Sequence, residues 1–549
     1  MSKQDKQAKP KRAQSHNRKA QNVGAFSGYI IFYMAAVVLT KIFGFLREIM
    51  ITAKFGYGVV SDGYILGFSI PDLVYNMLIA GALSAAVVPM LSASIERDEE
   101  DKLWPSLSSF FTLIIVIFFG FMLVGLIFAP ELLRWLNPDQ SLEVLNIATS
   151  VSRVIYLQTF LFILIAISRA VISANKVYGL PALGDSIYNV FGFLAVAILG
   201  APSEAGAIRV SWGIVFAALI YFLYMNYFGR PYMTKFKPRI KVKDRVLGRL
   251  VWLAVPSLLA GTVRQLNTII QQRFTSGISG AVTSLKNANT LFNLPYQIII
   301  NSVGTFLLPN ISGFLARDAK KEASDFLSTT IRIAIFILMP ASVLFFVFPE
   351  ETVRAVFQWN PASYTDANVA STATILRIFA IELLITAFIY FVNQVFYAVQ
   401  KNYITLITTI LSFAFNGLFL WLYIDVMAIG IEGLALASLS YNIVIAIVSY
   451  IFMKKVTPDL KFTGMGKFLI KGFISAFFTY AVLVLAGTLM QVTGNKWLQL
   501  VQYIIYGLVT VGAYFAAASA LKMPEVGGLI RMVRRLFEKV KGRIGKVEA

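Results

Sequence analysis

The sequence predicts an all-α polytopic membrane protein of fourteen transmembrane helices: two six-helix lobes related by a pseudo-two-fold axis along the membrane normal, plus two C-terminal helices. Three observations predict it. Hydrophobic residues fill 57% of the 549 positions and charged residues only 14%, with a mean hydropathy of +0.71, a balance too apolar for a soluble globule. Apolar stretches of membrane-spanning length recur along the whole chain. Short motifs of the first half return in the second at a nearly constant offset.

Composition also excludes several function classes. There is no cysteine and only one histidine, His16, in a polar tail, which removes disulfides, thiolate metal sites and histidine-based catalysis. No metal site and no cofactor are expected. The net charge of +21 reads as basic cytoplasmic loops and not as a nucleic-acid surface, because Lys and Arg collect on the cytoplasmic side of membrane proteins.

Residues 1–22 carry seven Lys or Arg and almost nothing apolar, which predicts a basic disordered cytoplasmic arm. The apolar run that follows is far longer than a signal-peptide core and lacks a small-residue cleavage site. Spans are expected near 25–52, 58–92, 105–129, 146–174, 181–200, 207–229, 247–272, 279–312, 324–348, 368–399, 402–424, 429–453, 465–490 and 497–521. With the N-terminus inside, cytoplasmic tails and loops hold about 34 of the 49 Lys and Arg and external loops about 6, which orients both termini to the cytoplasm. The stretch 229–249 alone carries eight. A basic cytoplasmic linker, 230–246, therefore separates an N-lobe (23–229, spans 1–6) from a C-lobe (247–455, spans 7–12), and spans 13–14 (465–521) stand outside the repeat.

The repeat is legible in motifs. FSIP at 68–71 recurs as FNLP at 292–295, VVPML at 87–91 as LLPNI at 307–311, Arg97 and Asp98 as Arg317 and Asp318, Pro130 and Glu131 as Pro349 and Glu350, and Asn189 as Asn416, with offsets between 219 and 227. An even number of spans per copy makes both copies enter from the same side, so the relating axis runs along the membrane normal. Span two, at about 34 residues, would be about 50 Å long as a straight helix against a hydrocarbon core of about 30 Å. It must bend, and Pro71 is the place, with Pro295 at the matching position of span eight. Gly81, Ala82, Ser84, Ala85 and Ala86 form a small-residue stripe suited to close helix approach. Residues 524–549 read as a basic amphipathic helix on an anionic inner leaflet, which makes anionic membrane lipids an expected partner; a helix that binds a protein partner is the other reading.

Charges at bilayer depth are costly and mark function. The set is Lys41, Arg47, Glu48, Asp62, Asp72, Arg153, Arg169, Asp185, Arg264, Lys286, Arg332, Arg377, Glu382 and Lys471. Arg169, Arg332 and Lys471 lie near span ends and are expected to snorkel. Lys41, Gly44, Arg47 and Glu48 fall at relative positions 0, 3, 6 and 7, one helix face that should line a wet cavity. Lys41, Arg47, Arg264 and Lys286 occupy the first two helices of each repeat, the elements expected to border a cleft between lobes. Such a cleft suits an anionic substrate, because guanidinium groups bind phosphate bidentately. The competing reading pairs Arg47 with Glu48 or Asp62. Asn287, Asn289, Asn293 and Asn301 in span eight would either contact sugars and hydrate the cleft or hydrogen-bond neighbouring helices.

At these residues the sequence resembles the MurJ family of lipid II flippases, in the multidrug/oligosaccharidyl-lipid/polysaccharide exporter superfamily. The motifs are FGFLRE at 43–48, the spacing from Phe55 and Gly56 to Asp62, IPDL at 70–73 and GALSAAVVPMLS at 81–92; the resemblance runs over nearly the whole chain. It implies an alternating-access flippase of the bacterial cytoplasmic membrane that moves an undecaprenyl-pyrophosphate-linked peptidoglycan precursor from the inner to the outer leaflet. Arg47 then matches an essential substrate-site arginine, Lys41 replaces another, and Asp62 matches a required acid that would pair with a cation during closure. The last two helices would help form a groove for the lipid tail, and cell-wall synthesis proteins become expected partners. The chain departs from the family at Tyr75, Ala80 and Thr290, with Lys286 one turn from Thr290 and able to replace its missing arginine. Gln271 and Leu420 stand where some members place acidic sodium ligands, which argues against sodium coupling there. The expected substrate-binding set is Lys41, Arg47, Asp62, Arg264, Lys286, Asn289 and Thr290, with Pro71 and Pro295 as hinges.

Three other functions compete. A flippase for another lipid-linked polysaccharide would share these features, and a cation-coupled small-molecule exporter would want an acidic lining. A membrane glycosyltransferase would need carboxylates in a sizeable external loop. The largest such loop, 349–368, offers Glu350, Glu351 and Asp366 without metal-type clustering.

Overall fold

The computed structural model describes residues 9–78, 83, 87–241, 244–489, 495–528 and 530, with backbone alone at 9–31, 253, 255–261, 263–264, 301 and 305. All its long regular elements are helices. They are α1 (Lys9–Phe55), α2 (Val59–Gly67), α3 (Ser69–Leu78), α4 (Val88–Glu96), α5 (Glu100–Leu136), α6 (Leu142–Ala174), α7 (Gly179–Leu199), α8 (Glu204–Gly229) and α9 (Arg245–Arg273). After these come α10 (Ala281–Ala316), α11 (Lys320–Val347), α12 (Pro349–Phe357), α13 (Asp366–Ala398), α14 (Asn402–Leu420), α15 (Ile431–Val456), α16 (Met465–Leu489) and α17 (Lys496–Ala520). Among the described residues, 11 helices are long and apolar enough to cross a membrane. The other three expected spans correspond to α1, to α2–α4 and to α9.

The chain packs as two compact units, Met1–Phe55 with Gly63–Trp135 and Ser141–Gln265, and Gly56–Asp62 with Leu136–Gln140 and Leu266–Ala549. In the first, α1 lies along α7. Thr40 Oγ1 and Ser186 Oγ meet at 2.8 Å, and a Cβ at Gly44 would sit 3.2 Å from Asn189 Oδ1, so a side chain there would push the helices apart. The apolar core of this unit gathers Leu91, Leu107, Phe111, Val171 and Leu250, all fully buried. Asp244 accepts from Ser106 Oγ at 2.6 Å and from Val246 N at 2.8 Å at the start of α9. The Ser106 bond, which favours the charged form, holds the Asp244 carboxyl below its usual range.

In the second unit α13 is central and packs on α10, α11 and α15, while α16 and α17 pair and lie on α11. Phe348 stacks on Tyr506 with centroids 4.1 Å apart, and Lys471 Nζ donates to Leu521 O at 2.7 Å, closing the end of α17. Arg332 pairs with the buried Glu525 at 3.1 Å.

The internal repeat extends to backbone torsions. α6 and α13 are both 33 residues long and start 224 apart (366 − 142). Each is followed by a residue in the left-handed region, Lys176 at φ 61° and Gln400 at φ 58°. α4 and α10 are both capped by an arginine at φ −99°, then by Asp98 at φ 56° and Asp318 at φ 55°. Aspartate tolerates this conformation better than most side chains.

Several expectations change. Residues 9–22, expected as part of a disordered arm, continue α1 as helix; Ala, Lys, Arg and Gln dominate this run and neither Gly nor Pro occurs from 11 to 23. Residues 1–8 lie outside the described residues. Span two is interrupted at Phe68, next to Gly67, whose carbonyl has no N–H to accept at Pro71. Pro295, by contrast, sits inside an unbroken α10. Arg169, half exposed, donates to Asp185 Oδ1 at 3.0 Å, an oxygen that also accepts from Tyr221 O–H at 3.0 Å. Arg332 and Lys471 likewise bond to protein groups. The stripe residues Gly81, Ala82, Ser84, Ala85 and Ala86 lie outside the described residues, as do 529 and 531–549 of the expected C-terminal amphipathic helix.

One turn in the second unit admits only glycine. Gly280 has φ +72°, and a Cβ there would fall 1.9 Å from the Tyr57 ring. Gly280→Ala is expected to destabilise the protein by about 2 kcal/mol or more, read as a lower thermal denaturation midpoint, and adding Tyr57→Ala should recover only the part due to overlap.

Candidate functional site

The α1 face expected to be wet is only partly so. Lys41 is exposed, whereas Gly44 faces α7. Arg47 places its guanidinium carbon 5.5 Å from the centroid of the Tyr188 ring, and a Cβ at Gly192 would approach its Cδ to 3.3 Å. Small residues on α7 thus make room for the arginine. Its Nη2 meets Glu48 Oε1 at 3.3 Å, with each side chain 20% exposed. The competing reading of the sequence, pairing with Glu48, is therefore realised. The contact is long for a charge-assisted bond, and the guanidinium also hydrogen-bonds the Tyr188 side chain.

Asp62 behaves differently from expectation. It is 1% exposed and accepts from Gly280 N at 3.0 Å, from Thr283 N at 2.9 Å and from the Thr283 hydroxyl. These donors are the orphan groups at the N-terminus of α10, where a negative charge is favoured. In this conformation its partners are the groups of a helix end. Tyr57 joins the same corner, its hydroxyl 2.9 Å from Ser284 Oγ and its amide bonded to Ser363 O at 3.0 Å.

Further along α10, Lys286 is exposed. Asn289 Nδ2 donates to Leu285 O at 3.0 Å, and Thr290 Oγ1 donates to Lys286 O at 2.9 Å. Both side chains thus bond along their own helix. Arg264 lies on α9, where only its backbone is described. Tyr75 packs against Phe162, with ring centroids 5.6 Å apart. The first unit also holds an open cavity of about 530 Å³, rimmed by Arg97, Arg249, Lys102 and Glu99, with Met90 and Leu103 on its apolar wall; Lys102 is paired with Glu99 at 2.9 Å.

Sequence reasoning missed the Asp62 cap and the Arg169–Asp185–Tyr221 cluster. A signal for the second was present. Arg169 and Asp185 stand at similar distances on either side of the short turn between α6 and α7, so an antiparallel pair of helices brings them level.

Long membrane-crossing helices in two repeated units, with cations on α1 and α10, define a multi-pass helical transporter. The fold is similar to a solved structure of the lipid II flippase MurJ in an inward closed conformation, with a TM-score of 0.72 and 19% identity, covering 89% of this chain and 98% of that one. It is also similar to an inward-facing multidrug resistance MATE family transporter, with a TM-score of 0.67 and 15% identity, covering 79% and 99%. The family described as lipid II flippase MurJ matches residues 51–506, and the chain belongs to it. One relative, the probable lipid II flippase MurJ of Bdellovibrio bacteriovorus, is 23% identical over 521 residues, covering 91% of this chain and 96% of its own. That of Buchnera aphidicola is 24% identical over 394 residues, covering 69% and 75%.

Proposed function

We infer that this chain is a flippase that moves lipid II from the inner to the outer leaflet of the bacterial cytoplasmic membrane by alternating access, with both termini cytoplasmic. The observation that carries the reading is the family match over residues 51–506. In this reading Lys41, Arg47, Arg264 and Lys286 hold the pyrophosphate by charge-assisted hydrogen bonds. Asn289 and Thr290 border the head group, Asp62 acts by fixing the start of α10, and Pro71 and Pro295 serve as hinges. The repeated lobes are proposed as 23–229 and 247–455, with the first part of α9, up to Gln265, packing within the first unit. The step is translocation without covalent chemistry on the substrate. Anionic lipids are proposed to settle on the basic segments, and Arg97 and Arg249 at the rim of the first unit's cavity support that. Cell-wall synthesis proteins are proposed as further partners.

The test uses the purified full chain in liposomes carrying labelled lipid II. The chain should accelerate its appearance in the opposite leaflet over empty liposomes, and lipid II should compete better than other polyprenyl-linked saccharides. No acceleration would refute the reading; preference for another donor would reassign the head group.

A further inference from the structure

Inside the second unit, α13 carries Glu382, 7% exposed. Its Oε1 accepts from Ser438 Oγ at 3.0 Å and from Asn442 Nδ2 at 2.9 Å, both on α15. Its Oε2 has no hydrogen-bond partner. From α15, the Tyr441 phenol interacts electrostatically with the carboxyl and shares hydrogen bonds with Ser438, Asn442 and Asn267. Asn267, on α9, accepts from Asn416 Nδ2 of α14 at 2.6 Å, and Asn416 Oδ1 is also without a partner. Among the described residues no charged group of α10, α11, α12 or α14 interacts with Glu382, and no lysine or arginine pairs with it.

A carboxylate in this place would hold a bare, uncompensated oxygen at membrane depth, which burial strongly disfavours. A proton on Oε2 removes that charge and leaves Oε1 as a carbonyl-type acceptor with two donors, so that a buried hydroxyl replaces a buried charge, the less costly of the two. The same two donors would stabilise the ionised form once water reaches Oε2, so both protonation states have a structural basis. Both donors belong to α15, so the proton and the packing of α13 on α15 are linked. We propose that Glu382 binds and releases the proton that couples transport by this chain to a proton gradient, an inference that rests on the transport reading above. Binding places the proton on Oε2; release returns it to water and leaves the carboxylate.

Two measurements test it. In liposomes with the membrane potential clamped, lipid II translocation by the unsubstituted chain should respond to an imposed proton gradient, by up to about tenfold per pH unit. Glu382→Gln should abolish that response and Glu382→Asp should restore it. Independently of any substrate, infrared difference spectra across a pH step should show a carboxylic acid band that disappears in Glu382→Gln. In Asn442→Ala, which removes one donor, the band should titrate at a different pH. A gradient response that survives Glu382→Gln, a band unaltered by it, or a sodium gradient that replaces the proton gradient would each overturn the proposal. If the unsubstituted chain moves no lipid II, the transport reading fails while the infrared titration still decides whether Glu382 is a proton site.

Discussion

Asp62→Ala is expected to stop lipid II translocation and to lower the stability of the protein by about 3 kcal/mol or more. Two buried amides, of Gly280 and Thr283, would lose their acceptor, and each unpaired buried group costs about 1–3 kcal/mol. The start of α10 would also lose a favourable charge, worth about 0.3–2 kcal/mol. Asp62→Asn keeps an acceptor and loses the charge, so its denaturation midpoint should fall between the two. Hydrogen exchange at residues 280–284 would locate the damage, because freed amides exchange faster. Were Asp62 to act on the substrate alone, Asp62→Ala would lose transport with an unchanged midpoint and unchanged exchange.

Arg47→Ala should lower the rate of translocation by about 10- to 100-fold, the equivalent of about 1.5–3 kcal/mol for a hydrogen bond to a charged group. Arg47→Lys should recover only part of it, because an ammonium cannot present a planar fork to a phosphate. Arg47 reaches α7 through Tyr188 and Gly192, so the control is the thermal midpoint. A rate loss that tracks a falling midpoint would make Arg47 a packing residue, and a rate loss at constant midpoint would make it a substrate contact.

The parts of this protein legible from sequence are those set by local chemistry. Apolar length predicts α5 to α8, α10, α11 and α13 to α17, because a helix satisfies its own backbone in lipid. Pro71 predicts a break because it lacks an N–H. Arg97 and Arg317 mark equivalent helix ends because the repeat preserves them. The partners of Asp62 could not be read, since Gly280 and Thr283 lie 218 and 221 residues away and offer backbone amides, which leave no trace in residue identity. Glu382 stood among the charges at bilayer depth, yet its donors Ser438 and Asn442 lie 56 and 60 residues on and resemble any polar side chains of a membrane helix. Arg47 shows the opposite limit. Its pairing with Glu48 was one of the readings visible in the sequence, and the geometry realises that contact.

The left-handed corners at Asp98, Lys176, Asp318 and Gln400 supply fiducial points for spectroscopy. A pair of spin labels beside Asp98 and Lys176 has its counterpart beside Asp318 and Gln400. The internal deformation of each half through a turnover cycle can then be gauged on a common ruler.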